Sequence, residues 1–317
     1  MDKYIIGSLI ATLLVSCSPN STEHSDKRID VMHNNFILIG DLSNRLEGNK
    51  PLYDTIIINT IIDKYWSEEV LYQNRKLGHQ DKMLFKRIQN NAWFSSDGEI
   101  DRIDLGAFGN DNFNRNRYIK NLDTMLNLDN DRQRFKKTIA LQYQNRSKFS
   151  GYINGVLNGL GEEYLPVSKY LKGDSTANIY HYSRDIVVIF TDGYIEFGRY
   201  GKGMNSLSGR QIKEIRNEML ATNSNAIEAS FNLGYEIAAL NNKGIVGTEF
   251  YLLETNDRSY TNGNPTAQPD DRNIYSSIWK DWLERSGAKF VVIKEPFRTR
   301  MDAAKFVDQY LLPKKSI

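Results

Sequence analysis

The chain has 317 residues, enough for one large domain, with 40% hydrophobic and 25% charged residues, the proportions of an ordinary globular body. A formal net charge of +2 excludes the strongly basic surface of a nucleic-acid binder. A single cysteine, Cys17, excludes an internal disulfide and asks for another explanation in an exported chain.

The N-terminus supplies one. Residues Tyr4 to Ser16 (YIIGSLIATLLVS) form an apolar run too short to span a bilayer but of the right length for a signal-peptide core. The run ends in Leu14-Val15-Ser16-Cys17, which resembles the bacterial lipobox. The resemblance implies that residues 1–16 are removed as a lipoprotein signal peptide and that Cys17 carries palmitate-type acyl chains. Such chains hold a protein at a membrane by burying methylenes. The polar stretch Ser18 to Asn35 (SPNSTEHSDKRIDVMHNN) reads as the tether of an anchor region, 17–35. It lacks the acidic cluster of a surface-export signal, so the expected location is a bacterial cell envelope, on a periplasm-facing leaflet.

The body, 36–317, alternates short apolar runs with longer amphipathic stretches. Phe36 to Gly40 is a strand without polar alternation, as in strands buried on both faces. Tyr53 to Trp66 predicts a helix despite its β-branched isoleucines. Lys82 to Ile88 and Glu99 to Gly106 are strand candidates, and the asparagine-rich Gly109 to Asn121 reads as a surface loop. Helices follow over Leu122 to Gln144 and Gly151 to Tyr164. Asp185 to Phe190 (DIVVIF) is the clearest strand. Asn223 to Asn241 predicts a helix with Ile227, Phe231, Gly234, Ile237 and Ala238 on its apolar face. Thr248 to Leu253 and Lys289 to Lys294 are strands around a helix, Asn273 to Arg285, that spaces Ile274, Ile278 and Trp282 by four. Thr299 to Leu312 closes the chain as a helix. Strands separated by helices predict a doubly wound α/β domain: a mostly parallel, six-stranded sheet with helices on both faces.

In such sheets ligands sit beyond the carboxyl ends of the strands, where strand order reverses. Asp41-Leu42-Ser43-Asn44-Arg45 follows the first strand and Thr191-Asp192-Gly193 follows the fourth, so these loops are expected to share one crevice. FILIGDLSNRL with VVIFTDG downstream resembles the von Willebrand factor A (integrin I-like) family and its metal-ion-dependent adhesion site. The resemblance implies metal ligands at Asp41, Ser43 and Asp192, with Ser150 beside the position of the family's threonine. It implies Mg²⁺ or Mn²⁺ as the cation and a protein partner as the ligand. Hard cations favour such oxygen donors. Arg45 stands where the family has a second serine, and its guanidinium could instead bridge the two aspartates.

The expected role is a membrane-anchored binding or assembly module rather than an enzyme. Two alternatives stay open: a metal-assisted hydrolase using Asp41 and Asp192, and a structural envelope protein with a dead site. Other motifs are weaker. No HExxH, P-loop or GxSxG is present. Glu196 reads as an exposed loop carboxylate near the rim, Gly201-Lys202-Gly203 as a surface loop, and Trp93-Phe94 as a candidate aromatic contact.

Overall fold

The computed structural model describes residues 27–42, 51–67, 80–88, 101–144, 153–160, 177–196, 206–261 and 264–312. Among the described residues are eight strands: β1 (Lys27–Gly40), β2 (Lys82–Arg87), β3 (Arg102–Asp104), β4 (Ala177–Phe190), β5 (Glu249–Leu253), β6 (Tyr260–Thr261), β7 (Asn264–Pro265) and β8 (Phe290–Ile293). Eight α-helices join them: α1 (Pro51–Tyr65), α2 (Asn112–Ile119), α3 (Leu128–Gln144), α4 (Ile153–Asn158), α5 (Gly209–Thr222), α6 (Ala226–Asn232), α7 (Asp271–Arg285) and α8 (Arg300–Phe306), which continues as a π turn over Val307–Leu311.

Six strands form one sheet in the order β3-β2-β1-β4-β5-β8. All pairings are parallel except that of β3 with β2. Successive residues of the central strands point to opposite faces, so each feeds two cores. Phe36, Leu38, Val188 and Phe190 pack under α1, α3 and α8. Ile37, Ile39, Val187 and Ile189 pack under α4, α5, α6 and α7. The expected α/β sheet with helices on both faces is present. No helix among the described residues is long and apolar enough to cross a membrane.

Several boundaries differ from expectation. β1 begins at Lys27, not Phe36, and pairs with β4 from Lys27↔Ala177 onward. Residues 27–35 are therefore strand rather than tether. Their polar composition hides this because the first part of β1 pairs with β4 before β2 joins at Asn35↔Lys82, outside the apolar layers. Gly109 to Asn121 contains α2, capped by the Asp111 carboxylate on the Asn114 N–H. Of the helix expected over Asn223 to Asn241 only α6, Ala226–Asn232, is present, and α5 lies wholly before that span. Asn223, in the left-handed region at φ 54°, ends α5, and Asn225 caps α6 in a capping box with Glu228. The buried face of α6 is Ala226, Ala229 and Ser230. Ile227 and Phe231, assigned to the core by periodicity, are exposed. Ile274, Ile278 and Trp282 of α7 are buried as expected.

At the amino edge of the sheet, burial alone would push the Glu249 carboxyl up, but Arg184 and Lys289 overcome it and hold it below its ordinary value. Arg184 Nη2 donates to Glu249 Oε2 at 2.7 Å and also to the Tyr310 carbonyl. This closes the C-terminal turn onto the sheet.

Candidate functional site

The strand order reverses between β1 and β4: the chain leaves β1 towards β2 on one side and β4 towards β5 on the other. This is the switch point at which doubly wound sheets bind ligands. Hydrogen bonds continue past the strand ends and stitch the loops together. The Asp41 N–H donates to the Phe190 carbonyl at 3.0 Å, and the Thr191 N–H to Leu253 at 3.1 Å. The Asn256 N–H donates to the Asp192 carbonyl at 3.1 Å, and the Thr255 N–H to Lys294 at 3.1 Å. Asp41, Thr191 and Asp192 are thereby held at one level, all buried. Thr191 Oγ1 lies 3.5 Å from Asp41 Oδ2 as its donor.

Asp192 is committed on both oxygens. Oδ1 accepts the Tyr194 N–H at 3.1 Å, and Oδ2 accepts Arg258 Nη2 at 2.7 Å. The other nitrogen of the fork, Arg258 Nη1, donates to Glu196 Oε1 at 2.6 Å. The guanidinium lies 3.9 Å over the Tyr194 ring, a cation–π contact. Burial alone would lower the Arg258 pKa, but Asp192 and Glu196 outweigh it and raise it above its ordinary value. The two ion pairs differ in character. Asp192 is 9% exposed in its side chain, whereas Glu196 is 44% exposed and Arg258 is 42% exposed.

The loop that carries Arg258 is braced from several directions. The Arg258 N–H donates to Tyr194 Oη at 3.1 Å, and Tyr194 Oη donates to Asp271 Oδ2. Burial, together with that carboxylate, raises the Tyr194 pKa. Asp271 also takes the Arg216 guanidinium, which reaches the Pro269 carbonyl at 2.7 Å. Asp257 accepts the N–H of Ser259 at 2.8 Å and of Arg272 at 3.1 Å. The turn after β4 is fixed from beneath by α7. Gly193 sits at φ 95°, and a Cβ there would come within 2.9 Å of the Tyr275 ring, so only glycine fits. Trp279 Nε1 donates to the Gly193 carbonyl at 2.8 Å.

The structure thus brings together Asp41 and Asp192 of the sequence-derived set. Ser43, Ser150, Arg45 and Cys17 lie outside the described residues, as do Gly201 to Gly203 and Trp93-Phe94. Trp66, Trp279 and Trp282 are core residues. Glu196 is the outer partner of an ion pair rather than an isolated loop carboxylate. His33 and His181 lie together towards the amino edge, with Nε2 of His33 2.7 Å from Nδ1 of His181, so neither serves Asp41 or Asp192. Arg258 and Tyr194 escaped the sequence reading. The rule that singled out the loops after β1 and β4 applies equally to Glu254-Thr255-Asn256-Asp257-Arg258 after β5.

Comparison with protein-family models and with curated proteins finds no match to the chain.

The donor set bears directly on a divalent cation. Among the described residues no group of three or more His, Cys, Asp or Glu side chains is placed to hold a metal. The outward oxygen of Asp192 already carries a guanidinium. A cation there would first have to displace Arg258 and then overcome its charge. Asp192 is thus occupied by Arg258, while Ser43 and Ser150 of the expected ligand set lie outside the described residues.

Proposed function

We propose that the chain is a membrane-anchored binding module of a bacterial cell envelope, not an enzyme, and that it recognises a protein partner through the switch-point loops at the carboxyl edge of its sheet. The observation that carries this reading is the placement of Arg258. A charged group stands at the ligand position of a doubly wound sheet, locked from beneath by buried Asp192 and the Tyr194 ring. From outside, among the described residues, it is held by exposed Glu196. An exposed ion pair contributes about 0–1 kcal/mol, so an acidic group of a partner can take the place of Glu196 at little cost. Asp192 keeps the guanidinium aimed while this exchange occurs. In this reading Arg258 supplies the positive charge that a metal supplies in the resembled adhesion site, and Asp41 and Thr191 line the floor beside it.

The test is in-cell photo-cross-linking with the full chain carrying Glu196→p-benzoylphenylalanine. The expected result is a cross-linked protein partner whose yield is unchanged by EDTA and lost when Asp192→Asn is added. Cross-linking that needs a divalent metal, or that survives Asp192→Asn undiminished, would remove this reading.

A further inference from the structure

The loop between α2 and α3 displays apolar side chains that no part of the described fold covers. Leu122 is 63% exposed, Met125 87% and Leu126 56%, with Phe113 of α2 at 70% nearby in sequence. Loops that expose such residues usually bend them back or replace them with polar ones. This one is instead held rigid in the exposing conformation. Asp123 Oδ1 accepts the N–H groups of Met125 at 2.9 Å and Leu126 at 3.0 Å. Asn127 Nδ2 donates to the Asp123 carbonyl at 2.7 Å, and Asn130 Nδ2 to the Thr124 carbonyl at 3.1 Å. Asn121 and Asp129 pair reciprocally across the loop, at 2.9 and 3.0 Å. A display whose conformation is already fixed loses little entropy when it docks.

Its place in the fold says what it meets. β3 ends at the amino edge of the sheet, where Asp104 is opposite Lys82 at the start of β2. The Leu105 N–H there donates to the Asp81 carbonyl. α2 and the apolar loop follow directly. α3 then climbs to the opposite edge, where Gln142 receives Arg87 at the end of β2 and Tyr143 donates to Asp54 in the first turn of α1. The loop therefore lies at the amino edge, the edge at which β1 enters and opposite Asp41, Asp192 and Arg258. Lys27 to Asn34 extends β1 past the first β2 pair by roughly 25 Å at ordinary strand rise. The ten residue steps from Cys17 to Lys27 span at most about 35 Å. A lipid on Cys17 can thus reach back to the level of the loop. Exposed Arg117 and Lys120 flank the tip and complement anionic lipid headgroups, while the Asp123 carboxylate within it is taken up by the Met125 and Leu126 N–H groups. Asp129 close by is engaged by Arg132 and Asn121.

We propose that Leu122, Met125 and Leu126 form a second membrane contact that enters the headgroup region of the bilayer holding the lipid anchor. It orients the domain with the loop and the projecting first part of the β1–β4 pair on the membrane side and the binding edge on the opposite side. This rests on the anchoring of the proposed function and adds the surface that faces the lipid. The acyl chains on Cys17 hold the chain at the bilayer, and a second contact fixes how the domain faces it.

Because the sole native cysteine is the acylation site, Met125→Cys provides a unique thiol for an environment-sensitive fluorophore. The probe is the mature lipidated chain in vesicles of phosphatidylethanolamine and phosphatidylglycerol, with Met301→Cys, exposed in the first turn of α8, as the reference. The expected result is a shift to shorter wavelength and quenching by doxyl-labelled lipid at position 125, with neither at 301. Quenching at 125 no greater than at 301 would overturn the inference. A shift at 125 without lipid quenching would overturn it in favour of a protein occupant, including a second copy of the chain. Flotation of the chain with the vesicles is read separately, and its failure would remove the anchor and the inference together.

Discussion

Trp279→Ala is expected to lower the unfolding free energy by about 3–5 kcal/mol and the melting temperature by on the order of 10 °C. Trp279 is 1% exposed, and its ring lies 5.0 Å from that of Trp282 in the layer beneath α7. Deletion of the indole leaves a cavity between the sheet and its covering helices that cannot close without moving α7. It also removes the N–H that satisfies the Gly193 carbonyl. Trp279→Phe separates the two contributions. It keeps most of the volume but leaves that buried carbonyl unpaired, at a cost of about 1–3 kcal/mol. Both variants loosen the turn that aims Asp192, so partner binding should weaken alongside stability. Thermal unfolding followed by calorimetry checks the first effect.

Arg258→Gln should leave the fold nearly intact and remove the recognition. The pair of Arg258 with exposed Glu196 contributes about 1 kcal/mol or less to stability, and the glutamine amide can still donate a hydrogen bond to buried Asp192. An arginine at the centre of an interface behaves differently. Loss of about 2 kcal/mol or more is typical at such a position, which is at least about thirtyfold in affinity. Glutamine keeps the length and some hydrogen bonding but lacks the charge and the fork, so Asp192 and Glu196 lose their common partner. The readout is affinity for the cross-linked partner, with unchanged thermal unfolding as the control. A Lys at the same position should recover only part of the affinity, because it cannot hold Asp192 and a second carboxylate in one plane.

The legible parts of this molecule are those governed by local pattern. FILIG and DIVVIF announce buried parallel strands because both faces are covered, and the residues just past them fall at the edge where ligands bind. Asp41 and Asp192 are therefore readable without coordinates. The polar first half of β1 is not, because that segment is held by pairing with β4 and by hydrogen bonds of buried His33, Asn34 and Asn35 rather than by either apolar core. α5 carried a readable signal in Ser208 and Gln211, a capping box, preceded by a glycine-bearing stretch that reads as loop. The face of α6 was misjudged because the apolar period was read from Asn223 to Asn241, whereas α6 ends at Asn232 and Ile237 is buried from a non-helical stretch. Arg258 was hidden by distance: its pairing with Asp192 joins residues 66 apart, and no period or motif marks such a contact. The arginine–aspartate bridge weighed as an alternative for Arg45, which lies outside the described residues, has a counterpart in Arg258 after β5.

The claim that Arg258 occupies the place of a cation is tested most directly by calorimetric titration of the mature chain with Mg²⁺ and Mn²⁺. The account predicts no saturable binding up to millimolar metal. Stoichiometric binding at micromolar metal, abolished by Asp192→Ala, would contradict it.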